Sequence, residues 1–175
     1  ATIAKAKRLE PLSEIIWKQE EKTDINEIAK QFMSEEKGIN TIEEAISGAL
    51  DIIAEIISDN ATFRKKIKSM CFREAVISSK AIKEEKSAYE MYYDYQEPIL
   101  KLPSHRILAM NRGETEGFLK VKLVKPEEKI LEMIAKSVIK PQNTQFTQML
   151  KDTVEDRYKR LIEPSIEREI RSELT

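Results

Sequence analysis

Apolar side chains recur at three- and four-residue intervals over most of the chain, the period of helices that each bury one face. Leu12, Ile15, Ile16 and Gln19 trace one face of a short helix that Pro11 can start, with Trp17 off the stripe as a packing anchor. A second helix begins near Asp24, sets Ile25, Ile28, Ala29, Phe32 and Met33 together, and stops near Lys37-Gly38. The third carries the clearest signal. Thr41 and Glu44 form a capping box, and Ile42, Ala45, Ile46, Ala49, Ile53, Ile56 and Ile57 follow as a wide apolar stripe. Asp59 and Asn60 can cap a fourth helix from Ala61. Farther on, Pro126 opens a helix with Ile130, Leu131, Ile134 and Val138 inward, and Pro141 ends it. A last amphipathic stretch runs through Phe146, Leu150, Val154, Tyr158 and Ile162. Pro164 should kink it or restart it before Ile166, Ile170 and Leu174.

One region reads differently. Leu119, Val121 and Leu123 alternate with Lys120 and Lys122, which is strand period, and Ile107–Met110 is a short apolar run upstream. Gly113 and Gly117 lie between them, so the spacing predicts a β-hairpin over about residues 106–124, with both glycines free to take positive φ. The expected fold is therefore mainly α: a multi-helical scaffold with helix-turn-helix-like pairs and one β-hairpin. It divides into a helical region (1–100), a connector with the hairpin (101–125) and C-terminal helices (126–175).

Composition fits long elements with few loops: 175 residues, 35% charged, with only 4 Gly and 6 Pro. No run approaches the roughly 18 apolar residues of a membrane span, and no signal peptide opens the chain. A single cysteine, Cys71, excludes an internal disulfide and reads as a small buried hydrophobe in a reducing, cytoplasmic protein. The chain opens on Ala1 rather than Met and ends within helical periodicity, which reads as a segment of a longer protein.

A net charge of −1 hides segregation. Glu43, Glu44, Asp51, Glu55 and Asp59 stand on and just after the third helix without a base among them. From Arg64 to Lys86, the bases Arg64, Lys65, Lys66, Lys68, Arg73, Lys80, Lys83 and Lys86 meet only Glu74, Glu84 and Glu85, a net +5. Such a stretch is either a solvated helix face or a contact for phosphates. Arg106, Arg112, Lys120 and Lys122 form a second basic group around the expected hairpin. The nucleic-acid-binding candidates are Arg64, Lys65, Lys66, Lys68, Arg73, Arg106, Arg112, Lys120 and Lys122. Tyr89, Tyr92, Tyr93 and Tyr95 could stack on bases, although at near-helical spacing they read as core.

Catalysis finds no footing. Adjacent carboxylates such as Glu84-Glu85 do not share a helix face, no phosphate-binding glycine loop is present, and Ser104-His105 in an extended chain would point apart. The lone His105 and the distant Cys71 do not make a zinc site. The reading is no catalytic residue, no metal, no cofactor and no small-molecule substrate.

The string His105-Arg106-Ile107-Leu108-Ala109-Met110-Asn111-Arg112-Gly113-Glu114, continuing to Leu119, resembles the characteristic stretch of the bacterial Tex family of transcription accessory proteins. Lys7–Leu12, Ala45–Glu55 and Arg157–Glu169 fit the same family in the same order, so the resemblance spans nearly the whole chain. It implies the N-terminal to central helical scaffold of a protein several times longer, which also carries an RNase-H-like domain, a helix-hairpin-helix region and an OB-fold RNA-binding domain. The implied function is cytoplasmic: binding RNA or single-stranded DNA in transcription through the full-length protein, with RNA polymerase a candidate partner. The segment itself is expected to be non-catalytic, with a basic nucleic-acid-facing surface. The alternative is a purely structural region that docks other Tex domains or the polymerase.

Overall fold

The computed structural model describes residues 8–20, 24–141 and 144–175. Lys7, at the head of the Lys7–Leu12 string, lies outside them. The described residues form a mainly α fold with one small antiparallel sheet, in the order α1 (Glu10–Lys18), α2 (Ile25–Lys30), α3 (Ile42–Ser58), α4 (Ala61–Glu74), β1 (Val76–Ala81), β2 (Asp94–Pro98), α5 (Ser104–Thr115), β3 (Leu119–Val124), α6 (Glu127–Val138), α7 (Gln145–Arg157) and α8 (Glu163–Leu174). The chain divides into two compact units, Ala1–Phe63 with Leu131–Ile162, and Arg64–Ile130 with Glu163–Thr175.

The first unit is helical. α3 is its centre, packed by α1, α2 and α7. The expected capping box forms in a shifted version. Thr41 Oγ1 accepts the Glu44 N–H at 3.1 Å, while Glu44 reaches past the cap to the Asn40 N–H at 2.8 Å. Ala45, Ala49, Ile52, Ile53 and Ile57 bury one side of α3 against Leu12, Ile16, Phe146, Leu150 and Val154, whereas Ile56 stays 53% exposed. Gln19 is the polar exception in this core. It is buried and takes the left-handed conformation at the end of α1. Its amide donates to the Val138 carbonyl at 2.8 Å and accepts the Lys140 N–H at 3.0 Å, so a helix terminus is satisfied from within.

Two expectations for this unit need correction. α2 stops at Lys30, so Phe32 lies in a turn and Met33 just beyond it, outside any helix. Beyond them Ser34 and Ile39 exchange both backbone hydrogen bonds at 2.8 Å around Gly38, whose φ is +73°. The glycine thus turns a small bridge rather than ending a long helix. Trp17 anchors no core and remains exposed.

The second unit is built on the sheet, with order β2-β1-β3 and both pairings antiparallel. The expected strand at 119–124 is present, but the hairpin over 106–124 is not. Residues 104–115 are helix α5, and the partner of β3 is β1, more than thirty residues earlier in the chain. Ile107 and Met110 have helical as well as strand compatibility; both point into the core from α5. Gly113 is helical and buried, not a loop residue: a Cβ there would come within 2.5 Å of Leu119 Cδ1 and 3.1 Å of Tyr89 Cδ1. Gly117 does take positive φ, +82°.

At the C-terminal end the helix does not break at Pro164. A π-helical turn, Tyr158–Ile162, joins α7 to α8. Pro164 brings no N–H to the ladder, and widening the preceding turn lets the helix pass it.

Candidate nucleic-acid interface

All the basic candidates fall within the second unit. They divide into cations tied to the protein and cations turned to solvent. On α4, whose first turn is capped by Asn60 Oδ1 accepting the Phe63 N–H at 2.9 Å, Ile67 and Cys71 point inward. Burial pushes the Cys71 thiol up to about 11, so it stays a neutral apolar group. One side of the helix is occupied by α8. Arg64 donates to Ser165 Oγ and, at 3.2 Å, to Glu169, while Lys68 pairs with Glu173 and Glu169. The hydrogen bond that Lys68 donates to Glu173 raises its pKa and keeps its charge. Arg64 and Lys68 are therefore positioning groups that hold α8.

The remaining α4 cations face away. Lys65, Lys66 and Arg73 are exposed, with exposed Ser69 between them, and none has an ion pair among the described residues. Their spacing puts all of them on one helix face, a stripe about 12 Å long at 1.5 Å per residue. The stretch that looked uniformly basic in sequence is thus cut in two by the helical period.

The sheet makes a second such face. Ile77, Ser79, Leu119, Val121 and Leu123 are buried on its inner side. The register sets Lys80 opposite Lys120 and Ser78 opposite Lys122, so these residues share the outer side. Lys80 pairs with Asp94 across to β2. Lys120 and Lys122 are exposed, have no ion pair among the described residues, and stand about 7 Å apart by strand rise.

The position of β3 is held by carboxylates. Its free edge would present unpaired N–H groups. Instead Glu114 Oε2 accepts the Val121 N–H at 3.0 Å and Glu167 Oε1 accepts the Leu123 N–H at 2.7 Å. Each carboxylate has its own cation. Arg171 donates to Glu114 and to Asn111 Oδ1, both at 2.7 Å, and Lys125, whose side chain is 3% exposed, pairs with Glu163 at 2.7 Å and Glu167 at 3.1 Å. These residues were missed by sequence reasoning. Glu167 and Arg171 stand four residues apart on one helix, yet Glu167 takes Leu123 and Lys125 while Arg171 takes Glu114.

Arg106 is turned to an internal use. Its guanidinium donates to Glu97 at 2.6 Å and to the Tyr95 hydroxyl at 3.1 Å, and Glu97 beside it strengthens its charge. Arg112 is exposed and has no ion pair among the described residues. Two of the four tyrosines follow the core reading, and Tyr93 and Tyr95 are half-buried. Tyr89 and Tyr92 are buried, Tyr92 meets Tyr95 edge-on at 5.3 Å between centroids, and Tyr89 donates to Glu116, which raises its pKa. Among the described residues no three His, Cys, Asp or Glu side chains gather to hold a metal, and no helix is long and apolar enough to cross a membrane.

Comparison with known proteins places the chain. A family described as Tex central region-like matches residues 20–175. The chain is 50% identical to the protein YdcI of Bacillus subtilis over 179 aligned residues, covering 100% of this chain and 25% of that protein. It is 29% identical to the transcriptional accessory protein Tex of Neisseria gonorrhoeae over 70% of this chain and 16% of that protein. It is 28% identical to the human S1 RNA-binding domain-containing protein 1 over 79% of this chain and 16% of that protein. The chain therefore spans about a quarter or less of the length of these relatives. Its strings, its fold and these matches agree: the chain belongs to the Tex family of transcription accessory proteins and corresponds to the family's central region.

Proposed function

We propose that this segment is a non-catalytic scaffold of a cytoplasmic transcription accessory protein and that it adds a phosphate-binding surface to the nucleic-acid contacts of the whole protein. The observation that carries this reading is the sorting of cations in the second unit. Arg64, Lys68 and Arg106 are neutralised by Glu169, Glu173 and Glu97, while Lys65, Lys66, Arg73, Arg112, Lys120 and Lys122 are exposed and have no ion pair among the described residues. A chain with 31 acids could have neutralised them. Relatives named for transcription accessory function and for an S1 RNA-binding domain support the same direction. The preferred ligand is RNA or single-stranded DNA. The contact is one to the backbone, which positions the ligand without reading its sequence.

The test is affinity for single-stranded RNA against salt. Binding through several phosphates gives a slope of log K against log salt of about −0.7 per phosphate. The combined Lys65→Glu, Lys66→Glu, Arg73→Glu variant should flatten that slope and lower affinity at low salt, and Lys120→Glu with Lys122→Glu should do so to a lesser degree. A chain that shows no binding at low salt, or variants that bind as well as the parent, would overturn the reading.

A further inference from the structure

The end of α5 delivers one aromatic ring to the start of β3. Glu116, Gly117 and Phe118 close the helix in a Schellman turn. The Phe118 N–H donates to the Gly113 carbonyl at 2.9 Å and the Gly117 N–H to the Glu114 carbonyl at 3.1 Å. The sheet ladder then runs on through Phe118, whose carbonyl accepts the Ile82 N–H at 2.9 Å. Yet the Phe118 side chain is only half-buried, and Ile82 beside it is 60% exposed. Tyr89 lies tilted against the ring at 5.8 Å between centroids. The exposed Lys83 holds its ammonium over the ring, 5.0 Å from the centroid. Among the described residues outside its own chain neighbours, a Cβ added at Gly117 would meet only that ammonium, at 3.9 Å, so the backbone beside the ring is open to approach.

Lys120 and Lys122 follow Phe118 at steps of about 7 Å along the strand. Carboxylates stand near the ring as well. Asp94 pairs with Lys80 and Glu116 accepts from the Tyr89 hydroxyl, whereas Glu84, Glu85 and Glu90 are exposed without an ion pair among the described residues. The charge around the ring is therefore mixed, and charge alone would not draw an anion to it. What this corner offers beyond the lysines is a planar face. An unpaired base can stack on such a face, and any base will serve, because each has a π-face of its own. A lysine over an exposed ring is held by only about 0.5–1 kcal/mol, so it can yield the ring to a base and turn to a phosphate. We propose that Phe118 stacks one unpaired base of a single-stranded nucleic acid, with Lys83 turning to that nucleotide's phosphate and Lys120 and Lys122 holding the phosphates that follow. The stacking site rests on the phosphate-binding reading above and adds a reason for unpaired bases to be preferred.

The test titrates the chain at low salt with octauridylate and with an abasic strand of the same length, which keeps the sugars and phosphates. Octauridylate should bind about fivefold or more tightly, the contribution of one stacked base. Phe118→Leu should remove that difference while leaving abasic binding and the salt slope unchanged, since no phosphate contact is lost. Circular dichroism checks that the variant keeps its helix content. Phe118→Trp retains a ring and should keep the preference. Octauridylate should quench its added indole, measured against the parent's Trp17 signal, and the abasic strand should not. Lys120→Glu with Lys122→Glu should weaken both strands alike. Three outcomes overturn the stacking site and leave the phosphate reading standing: equal binding of the two strands by the parent, a Phe118→Leu variant that binds like the parent or loses both strands alike, or an added indole that octauridylate does not quench. Binding of neither strand overturns both.

Discussion

The two units handle the same charge-rich composition in opposite ways. In the helical unit the carboxylates of α3 stay outside. Glu43, Asp51 and their neighbours lie in solvent while isoleucine and alanine make the contacts with α1 and α7. In the sheet unit the carboxylates are structural: Glu114 and Glu167 close the β3 edge, Glu169 and Glu173 take Arg64 and Lys68, and Glu97 holds Arg106. Helices satisfy their own backbone and need only an apolar stripe to associate. A three-stranded sheet leaves edge N–H groups that something must accept. The sheet unit answers that need with charged side chains, and the choice of which cations become counter-ions decides which remain available to a ligand.

The sharpest way to break the contrast is to remove one buried ion. Lys125→Ala leaves Glu163 and Glu167 facing each other without their cation and should cost about 3–5 kcal/mol, the range for breaking a buried pair. Hydrogen exchange should show the loss first at Val121 and Leu123. Phe146→Ala, a cavity in the helical unit, should cost a comparable 3–5 kcal/mol or so but speed exchange in α3 and α7 instead. Equal loss of protection everywhere in both variants would mean that the units do not differ in how they are held.

A second expectation is pH-dependent. The ordinary thiol value of 9.0 rises to about 11 for folded Cys71. A raised pKa stabilises the fold fully below the unfolded value and is lost as pH climbs through the folded one. The sheet unit should therefore weaken between about pH 9 and pH 11, by up to about 3 kcal/mol at 1.36 kcal/mol per unit. Tyr89 and Tyr95, both raised, add to the same slope at its upper end. Denaturant midpoints measured across this window should fall less steeply in Cys71→Ala. The smallest effect belongs to the surface. The Arg160–Asp156 pair at 2.6 Å is exposed on both sides, and Arg160→Ala should change the melting free energy by only about 0.5 kcal/mol or less.

Much of the helical unit was legible because its signals are local. The Thr41–Glu44 cap, the α3 stripe and the 146–162 stripe each depend on residues within a few turns of one another. The sheet unit hid more. Val76–Ala81 falls inside the basic run and Asp94–Pro98 inside the tyrosine-rich end of the expected helical region, so neither announces a strand. Only the alternation at 119–124 was clear, and it drew in the nearest apolar run, 107–110, as a false partner. Strand pairing is a long-range choice with little local signature. α5 also lacks a strong amphipathic pattern, because its inner face is part polar: Arg106, Asn111 and Glu114 point to charged partners.

Residue types and their order were sufficient to establish a mainly helical Tex-family segment, its capping residues and the pool of basic side chains. Backbone propensity, apolar period and family strings are all written along the chain. Which members of that pool face outward was settled by packing alone. Arg64 and Lys65 are neighbours in sequence, but one helical step of about 100° turns Arg64 to the carboxylate of Glu169 and Lys65 to water. No reading of the local chain could know that α8 would lie there, since ion pairing depends on distance in space and not on distance along the backbone.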